Sequence, residues 1–374
     1  MDKILNQEHS FDEYIEIEKE RWKVEEASMT DVQKFYDHHP SLTTPFVRTD
    51  ILETISEAFG RELFYLKIKN EDKIHGIAGL VLHKRGPWFV ANRLPIRYSG
   101  IVAKPEKLPN KLKLLHNFLL RRRIVMAYYS FPPQLSKKDH TFEDAEFDVE
   151  YEQSYLLPIN GATVDEILEI TQPRMRSSVR KALNQLTISD STEDEVKNDL
   201  YELMLKTYRR KDPQSMEPYP PSIGSVIWNK FRAGDAYDPT FHIRTARLKD
   251  NNEIAGMMIA ISHPATRKTY SWMIARRTDL GNLQVSGALI ADMAAVAAGM
   301  GSEGLGLGGG TKGIKKFKQR MGGQPTEYLN VRVSTKGFKI LQSIHETILN
   351  LVSYINITAY SKVLLFPLIA FSQW

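Results

Sequence analysis

KDNNEIAGMMIAISH, residues 249–263, reads as a polar turn and the strand that leaves it. Residues 249–253 are turn formers, and 254–262 are almost wholly apolar, the composition of a buried strand. A second copy of the pattern, KNEDKIHGIAGLVLH, occupies residues 69–83. The two align without a gap, and Lys69/Lys249, Ile74/Ile254, Gly76/Gly256 and His83/His263 are identical. Self-similarity at a fixed offset marks a duplicated unit.

The flanking elements recur in the same order. In the first half, apolar spacing predicts helices over 30–38 and 48–59, the second capped by Thr49 or Asp50. Strands follow at 63–69, 75–83, 88–90 and 97–102, then an amphipathic helix over 109–121 and strands at 124–131 and 152–158. The second half opens with helices at 164–170, 175–186 and 193–210, a loop at 213–221 that holds four prolines, and a helix at 223–232. Strands at 241–248, 254–262 and 268–275 lead to a small-residue helix over 289–299, before which Ser286 can serve as a plain cap. A strand at 304–307, a helix at 313–321 and a strand at 328–333 complete it. The expectation is α/β, in two related domains, 1–160 and 161–345, followed by an apolar tail at 346–374 that reads as a packed helix.

Composition removes several classes of function. The 374 residues include no cysteine, which excludes disulfides, thiolate nucleophiles and cysteine-ligated metals. No metal site is expected, because the ten histidines show no H-x-x-x-H or H-E-x-x-H spacing. The start, MDKILNQEHSFDEY, is too acidic for a signal peptide, and no apolar run reaches the ~18 residues of a spanning helix. A cytoplasmic protein is therefore expected, with peripheral membrane contact left open through the tail. The net charge is +5, with basic clusters at 111–123, 174–181 and 312–320, which suit anionic ligands, a membrane surface or RNA.

The densest signal is GMGSEGLGLGGGTKGIKKFKQRMGG, residues 299–323, where ten of 25 residues are glycine. Such density means backbone at positive φ or backbone lying close to something else. Gly304, Gly306 and Gly309 match G-x-G-x-x-G, but too little chain follows for a dinucleotide fold. The phosphate loop G-x-x-x-x-G-K-[ST] is absent, since Lys312 follows Thr311, and no G-x-S-x-G nucleophile elbow occurs. What remains is a site that holds two substrates. Gln284 and Gly287 sit at the start of the small-residue helix, where free N–H groups suit an anion. Tyr270 and Trp272 share one face of the preceding strand and can wall a pocket.

The strand with its Ile-x-Gly entry, the aromatic strand, the small-residue helix and GLGLGGGTKGIKKFKQRMGG together resemble the FemAB-like branch of the GNAT superfamily. The specific part covers about 174–333. The resemblance implies two tandem GNAT-like domains, each a mixed, largely antiparallel sheet flanked by helices. It also implies N-acyl transfer from a thioester or ester donor to an amine, with Phe317 and Lys318 in the place of the family's active-site Phe-Lys pair. RMRSSVRKA looks like the family's R-x-x-x-x-x-R-K-A segment and assigns Arg174, Arg176 and Arg180 to substrate binding. Gln284 to Gly287 looks like the start of the GNAT pyrophosphate loop, and the match ends at Leu289. Arg276 and Arg277 are expected to join Gln284 and Gly287 in donor binding, and Gly308, Gly309 and Gly310 to lie against substrate.

The expected partners are a small-molecule acyl donor and an amine acceptor. Acyl-CoA serves as a co-substrate rather than a tightly bound cofactor, and the acceptor is an amino sugar or other cell-envelope or polysaccharide precursor. Two alternatives stay open: transfer from aminoacyl-tRNA, and a non-catalytic protein bound peripherally to membranes. No general base stands out; Glu303, Asp279 and a water relay all remain.

Overall fold

The computed structural model describes residues 15–17, 20–92, 96, 98–133, 147–159, 161, 163–209, 219–335, 337–340, 343 and 347. In the first half β1 (Ile15–Ile17) and β2 (Glu20–Glu26) precede α1 (Met29–His38) and α2 (Thr49–Ala58). Next come β3 (Glu62–Asn70), β4 (Lys73–Arg85), β5 (Trp88–Ala91), β6 (Ile101–Ala103), α3 (Leu108–Arg121), β7 (Ile124–Ser130) and β8 (Phe147–Pro158). The second half opens with α4 (Val164–Glu169), α5 (Pro173–Gln185) and β9 (Leu186–Asp190), then α6 (Leu200–Arg209) and α7 (Ile223–Phe231). It continues through β10 (Phe241–Leu248), β11 (Ile254–His263), β12 (Lys268–Arg276), α8 (Val285–Gly299), β13 (Gly304–Gly306), α9 (Lys312–Arg320) and β14 (Gln324–Ser334).

All fourteen strands form one sheet in the order β1-β2-β3-β4-β5-β7-β14-β8-β13-β12-β11-β10-β9, with β6 added beside β4. Among the described strands only β5–β7 and β12–β13 pair in parallel. The fold is thus α/β with a mixed, largely antiparallel sheet flanked by helices, as the resemblance implies. The sheet is symmetric about its centre, and the centre is an exchange. β8 leaves the first half to pair with β13, and β14 returns from the second half to pair with β7 and β8.

The repeated stretches are equivalent hairpins, β3–β4 and β10–β11, and they share a defect. Ile68 pairs with Gly76 and Lys69 with Ile74, which leaves His75 as an extra residue. Ala246 pairs with Gly256 and Arg247 with Ile254, which leaves Ala255 at the aligned position. A bulge of this kind bends a strand and raises its twist. A Cβ on Gly76 would meet Ala103, and one on Gly256 would sit 2.8 Å from the Ala275 carbonyl. Both glycines therefore permit a neighbouring strand to approach the bulge.

Apolar residues cover both faces. Ile51, Ile55 and Ile77 of the first half share a cluster with Ile227, Met257 and Ile259 of the second. The opposite face carries separate cores, one under α3 and one under α4, α5 and α8. Arg48 spans the halves, bonding Asp238 at 2.5 Å and Thr240 Oγ1 at 2.8 Å.

Several local expectations shift. Chain at 98–100 is not strand, because Tyr98 (φ 54°) and Gly100 (φ 99°) lie in the left-handed region. β9, with apolar side chains only at Leu186 and Ile188, was not anticipated; it is an edge strand beside β10. The N-cap of α2 is Arg48, with no side-chain cap bond. α8 begins at Val285, so Ser286 lies within its first turn and Gln284 is the N-cap. The tail beyond 347 and most of the proline loop, 210–218, lie outside the described residues. No described helix is long and apolar enough to cross a membrane.

Candidate active site

β12 and β13 pair over only three positions, ending at Tyr270 opposite Gly306. Beyond that point the two strands part. Along its other edge β12 pairs Met273 with Ile259 and Ser271 with Ala260, so Trp272 is the extra residue of a bulge. The sheet is therefore open where β12 runs on toward Arg276, and a cavity of about 780 Å³ fills the gap.

Four pieces of chain wall it. Tyr270, Trp272 and Arg276 come from β12 and its bulge; Gln284, Val285 and Ser286 are the start of α8. Gly308, Gly309 and Gly310 form the loop after β13, and Phe317 with Lys318 come from α9. The structure thus brings together nine of the residues expected from sequence: Tyr270, Trp272, Arg276, Gln284, the three glycines, Phe317 and Lys318. The start of α8 has no side-chain cap, and with Gln284, Val285 and Ser286 in the lining the positive end of the helix dipole lies at the cavity.

Lys318 is tied down. Its Nζ donates to the carbonyls of Leu307, of Gly308 at 2.9 Å and of Gly309 at 2.5 Å. The ammonium and Arg276 are the only charged side chains among the described lining residues. Among the described lining residues there is neither carboxylate nor histidine. Glu303 instead pairs with Arg267 at 2.5 Å in solvent, and Asp279 with Arg277 at 2.5 Å. Burial pushes the Tyr270 phenol up to about 12, so it is a neutral hydroxyl at physiological pH.

Other expected residues lie elsewhere. Gly287 is one step beyond the lining; a Cβ there would sit 2.7 Å from Val179 Cγ2, so its space is set by packing against α5. Arg277 points away from the cavity into ion pairs with Glu253 and Asp279. Arg176 donates to the Glu169 carbonyl at 2.5 Å and Arg180 to Asp165 at 3.0 Å, which joins α5 to α4. Arg174 is exposed on the same helix, and none of the three lines the cavity.

The cavity also uses residues with no sequence signal. Phe46 and Tyr98 reach it from the first half, and Met204 and Thr207 from α6. Thr207 Oγ1 accepts from the Arg276 N–H at 3.1 Å, which anchors the outer end of β12. Tyr98 packs edge-on against Tyr270 at 6.1 Å and Tyr328 at 5.2 Å. These are contacts between segments far apart in the chain, and local patterns of period and composition do not reveal which segments meet.

A second cavity of about 510 Å³ adjoins the first, with Ile96 common to both linings. Register places Asp148, Glu150 and Glu152 of β8 opposite Arg332, Asn330 and Tyr328 of β14 on one polar face. Asp148 pairs with Arg332 at 2.8 Å, and Glu152 accepts from Asn330 Nδ2 at 3.1 Å and from the Tyr328 hydroxyl.

No family model matches the chain, and no curated protein sequence matches it. Solved structures do. FemX superposes with a TM-score of 0.58 at 14% identity, over 82% of this chain and 96% of FemX. L-PGS from Bacillus licheniformis gives 0.50 at 11% identity, over 87% of this chain and 97% of that one. The C-terminal domain of a lysylphosphatidylglycerol synthetase from Agrobacterium fabrum gives 0.50 at 11%, over 85% and 97%. At such identities the likeness is one of fold. A sheet parted between two parallel strands, a glycine loop beyond the gap and superposition along nearly the whole of FemX give this chain a FemAB-like, GNAT-type fold.

Proposed function

We propose that the chain is an N-acyltransferase that moves an acyl group from a coenzyme A thioester to an amine of an amino sugar or another cell-envelope or polysaccharide precursor. The observation that carries this reading is the cavity at the parted strands, where a free strand edge, a helix start and two cations face one space. A free strand edge offers unpaired N–H groups, and a bulge leaves its extra residue unpaired as well. A thioester carbonyl lying against that edge gains a donor as its oxygen becomes charged, worth about 3 kcal/mol for one good N–H.

The chemistry balances without a further reactant. As the amine nitrogen bonds to the acyl carbon, the carbonyl π pair moves onto oxygen. When that pair returns, the C–S bond breaks and the sulfur leaves with its electrons. The proton lost by nitrogen ends on sulfur, carried there by water, since no carboxylate or histidine is among the described lining residues. The products are an amide and a free thiol. Arg276 and the start of α8 suit the donor's phosphates. The two cations also disfavour an ammonium in the cavity, and so favour the neutral, nucleophilic amine.

The adjoining polar cavity supports an amine-bearing acceptor, since among its described lining residues three carboxylates stand against one arginine, and only Asp148 of the three is held in ion pairs, with Arg332 and Lys339. The chain contains no cysteine, so any thiol that appears in an assay is released coenzyme A. A panel of acyl-CoA thioesters with amino sugars is expected to show thiol release together with an N-acylated product of matching mass. Release from no thioester, with transfer from aminoacyl-tRNA instead, would overturn the donor; transfer from neither would overturn the reading.

A further inference from the structure

The ammonium of Lys318 has three protons, and three successive carbonyls take them: Leu307, Gly308 and Gly309. In this arrangement the side chain has no proton left for a substrate. A trans peptide points its N–H opposite to its C=O. Drawing these three carbonyls to one point therefore turns the N–H groups of Gly308, Gly309 and Gly310 away from Lys318. Among the described residues none of those three N–H groups has an acceptor. All three glycines line the cavity. The loop is held at both ends, by the Leu307 N–H on the Tyr155 carbonyl at 2.7 Å and by Gly310 packed on Ile314. Gly308 (φ 67°) and Gly310 (φ 146°) adopt backbone that other residues rarely reach.

We propose that Lys318 is a positioning residue: it holds the carbonyls of the loop after β13 so that glycine N–H groups, rather than the ammonium, are offered to the acyl oxygen. This rests on the transfer reading above, and it differs from a catalytic lysine in what it predicts. Lys318 acts through the loop, so damage to the lysine and damage to the loop are one injury.

The test is a double-mutant cycle on the wild-type reaction with an acyl-CoA thioester. Lys318→Met is expected to lower kcat about a hundredfold, the scale of one lost oxyanion donor, with KM for the thioester within about threefold. Gly308→Ala, which strains the same loop, is expected to do the same. The double variant is then no worse than the poorer single one, because coupled sites are not additive. Lys318→Arg still offers charged donors to carbonyls and is expected to keep the wild-type pH profile with a loss of no more than about tenfold. Multiplying losses in the double variant, or a pH limb that vanishes in Lys318→Arg, would overturn the proposal.

A second measurement does not depend on activity. In glycine-labelled protein the amide signals of Gly308, Gly309 and Gly310 are expected to move in Lys318→Met while the other glycine signals stay in place, which also reports that the variant folds. Lys318→Gln serves in its stead should the Met variant not fold. Unmoved loop signals overturn the positioning role even with a substrate in hand. If no thioester is ever turned over, the transfer reading falls and the loop measurement still decides the role of Lys318.

Discussion

A methyl group on Gly287 would lie 2.7 Å from Val179 Cγ2 and 3.4 Å from Met321 Sδ. Its neighbours Gln284 and Ser286 face the cavity, whereas Gly287 lets α8 seat against α5 and the end of α9. Gly287→Ala is therefore expected to cost about 1–3 kcal/mol through overpacking, seen as a lower urea midpoint, and Val179→Ala in the same chain should return part of it. The paired arginines divide in a similar way. Arg277 is neutralised by Glu253 and Asp279, while Arg276 lines the cavity. If coenzyme A is the donor, Arg276→Met is expected to raise its KM roughly tenfold, the scale of about 1.5 kcal/mol for a bond to a charged group. Arg277→Met should leave KM within about twofold. Equal effects in the two variants would remove Arg276 from the donor site.

Among the elements, the turn that ends β11 joins the two halves. His263 Nε2 meets Thr43 Oγ1 at 3.0 Å, and its Nδ1 meets Thr266 Oγ1 at 3.0 Å. Burial, helped by the nearby Arg48 charge, lowers this imidazole to about 4. Between that value and its ordinary pKa near 6.5 the unfolded chain binds more protons than the folded one, so stability falls as pH drops through this window. His263→Gln is expected to flatten the pH dependence of the urea midpoint between about pH 6.5 and 4; an unchanged slope would mean that other groups cause it. The equivalent hairpins were legible from four identities, but their shared bulge at His75 and Ala255 was not. A bulge is a matter of register, and register depends on the partner strand. α8 was legible because its residues are small and mostly apolar, yet its start at Val285 was not, since no side chain caps it and only the backbone of Gln284 marks it.

At the scale of the molecule, β14 lies between β7 and β8, and its Leu329, Val331 and Val333 complete the core under α3. A chain of residues 1–160 alone would lack those side chains and leave two long strand edges bare. It is expected to show no cooperative unfolding transition, and to gain one when residues 161–374 are co-expressed; a sharp transition for the isolated fragment would contradict this. By itself the amino-acid sequence determined the duplicated α/β pattern, the absence of thiol chemistry, and the junction of a glycine loop with a basic helix. These are local matters of period, turn chemistry and composition, written in contiguous residues. Only the tertiary structure decided that β8 and β14 change places, that Phe46 and Tyr98 enter a cavity of the other half, and that Arg176, Arg180 and Arg277 are held in ion pairs elsewhere. It also decided that Lys318 meets carbonyls nine to eleven residues before it. Periodicity says which side of an element is buried, whereas the choice of what it is buried against follows from the packing of segments far apart in the chain.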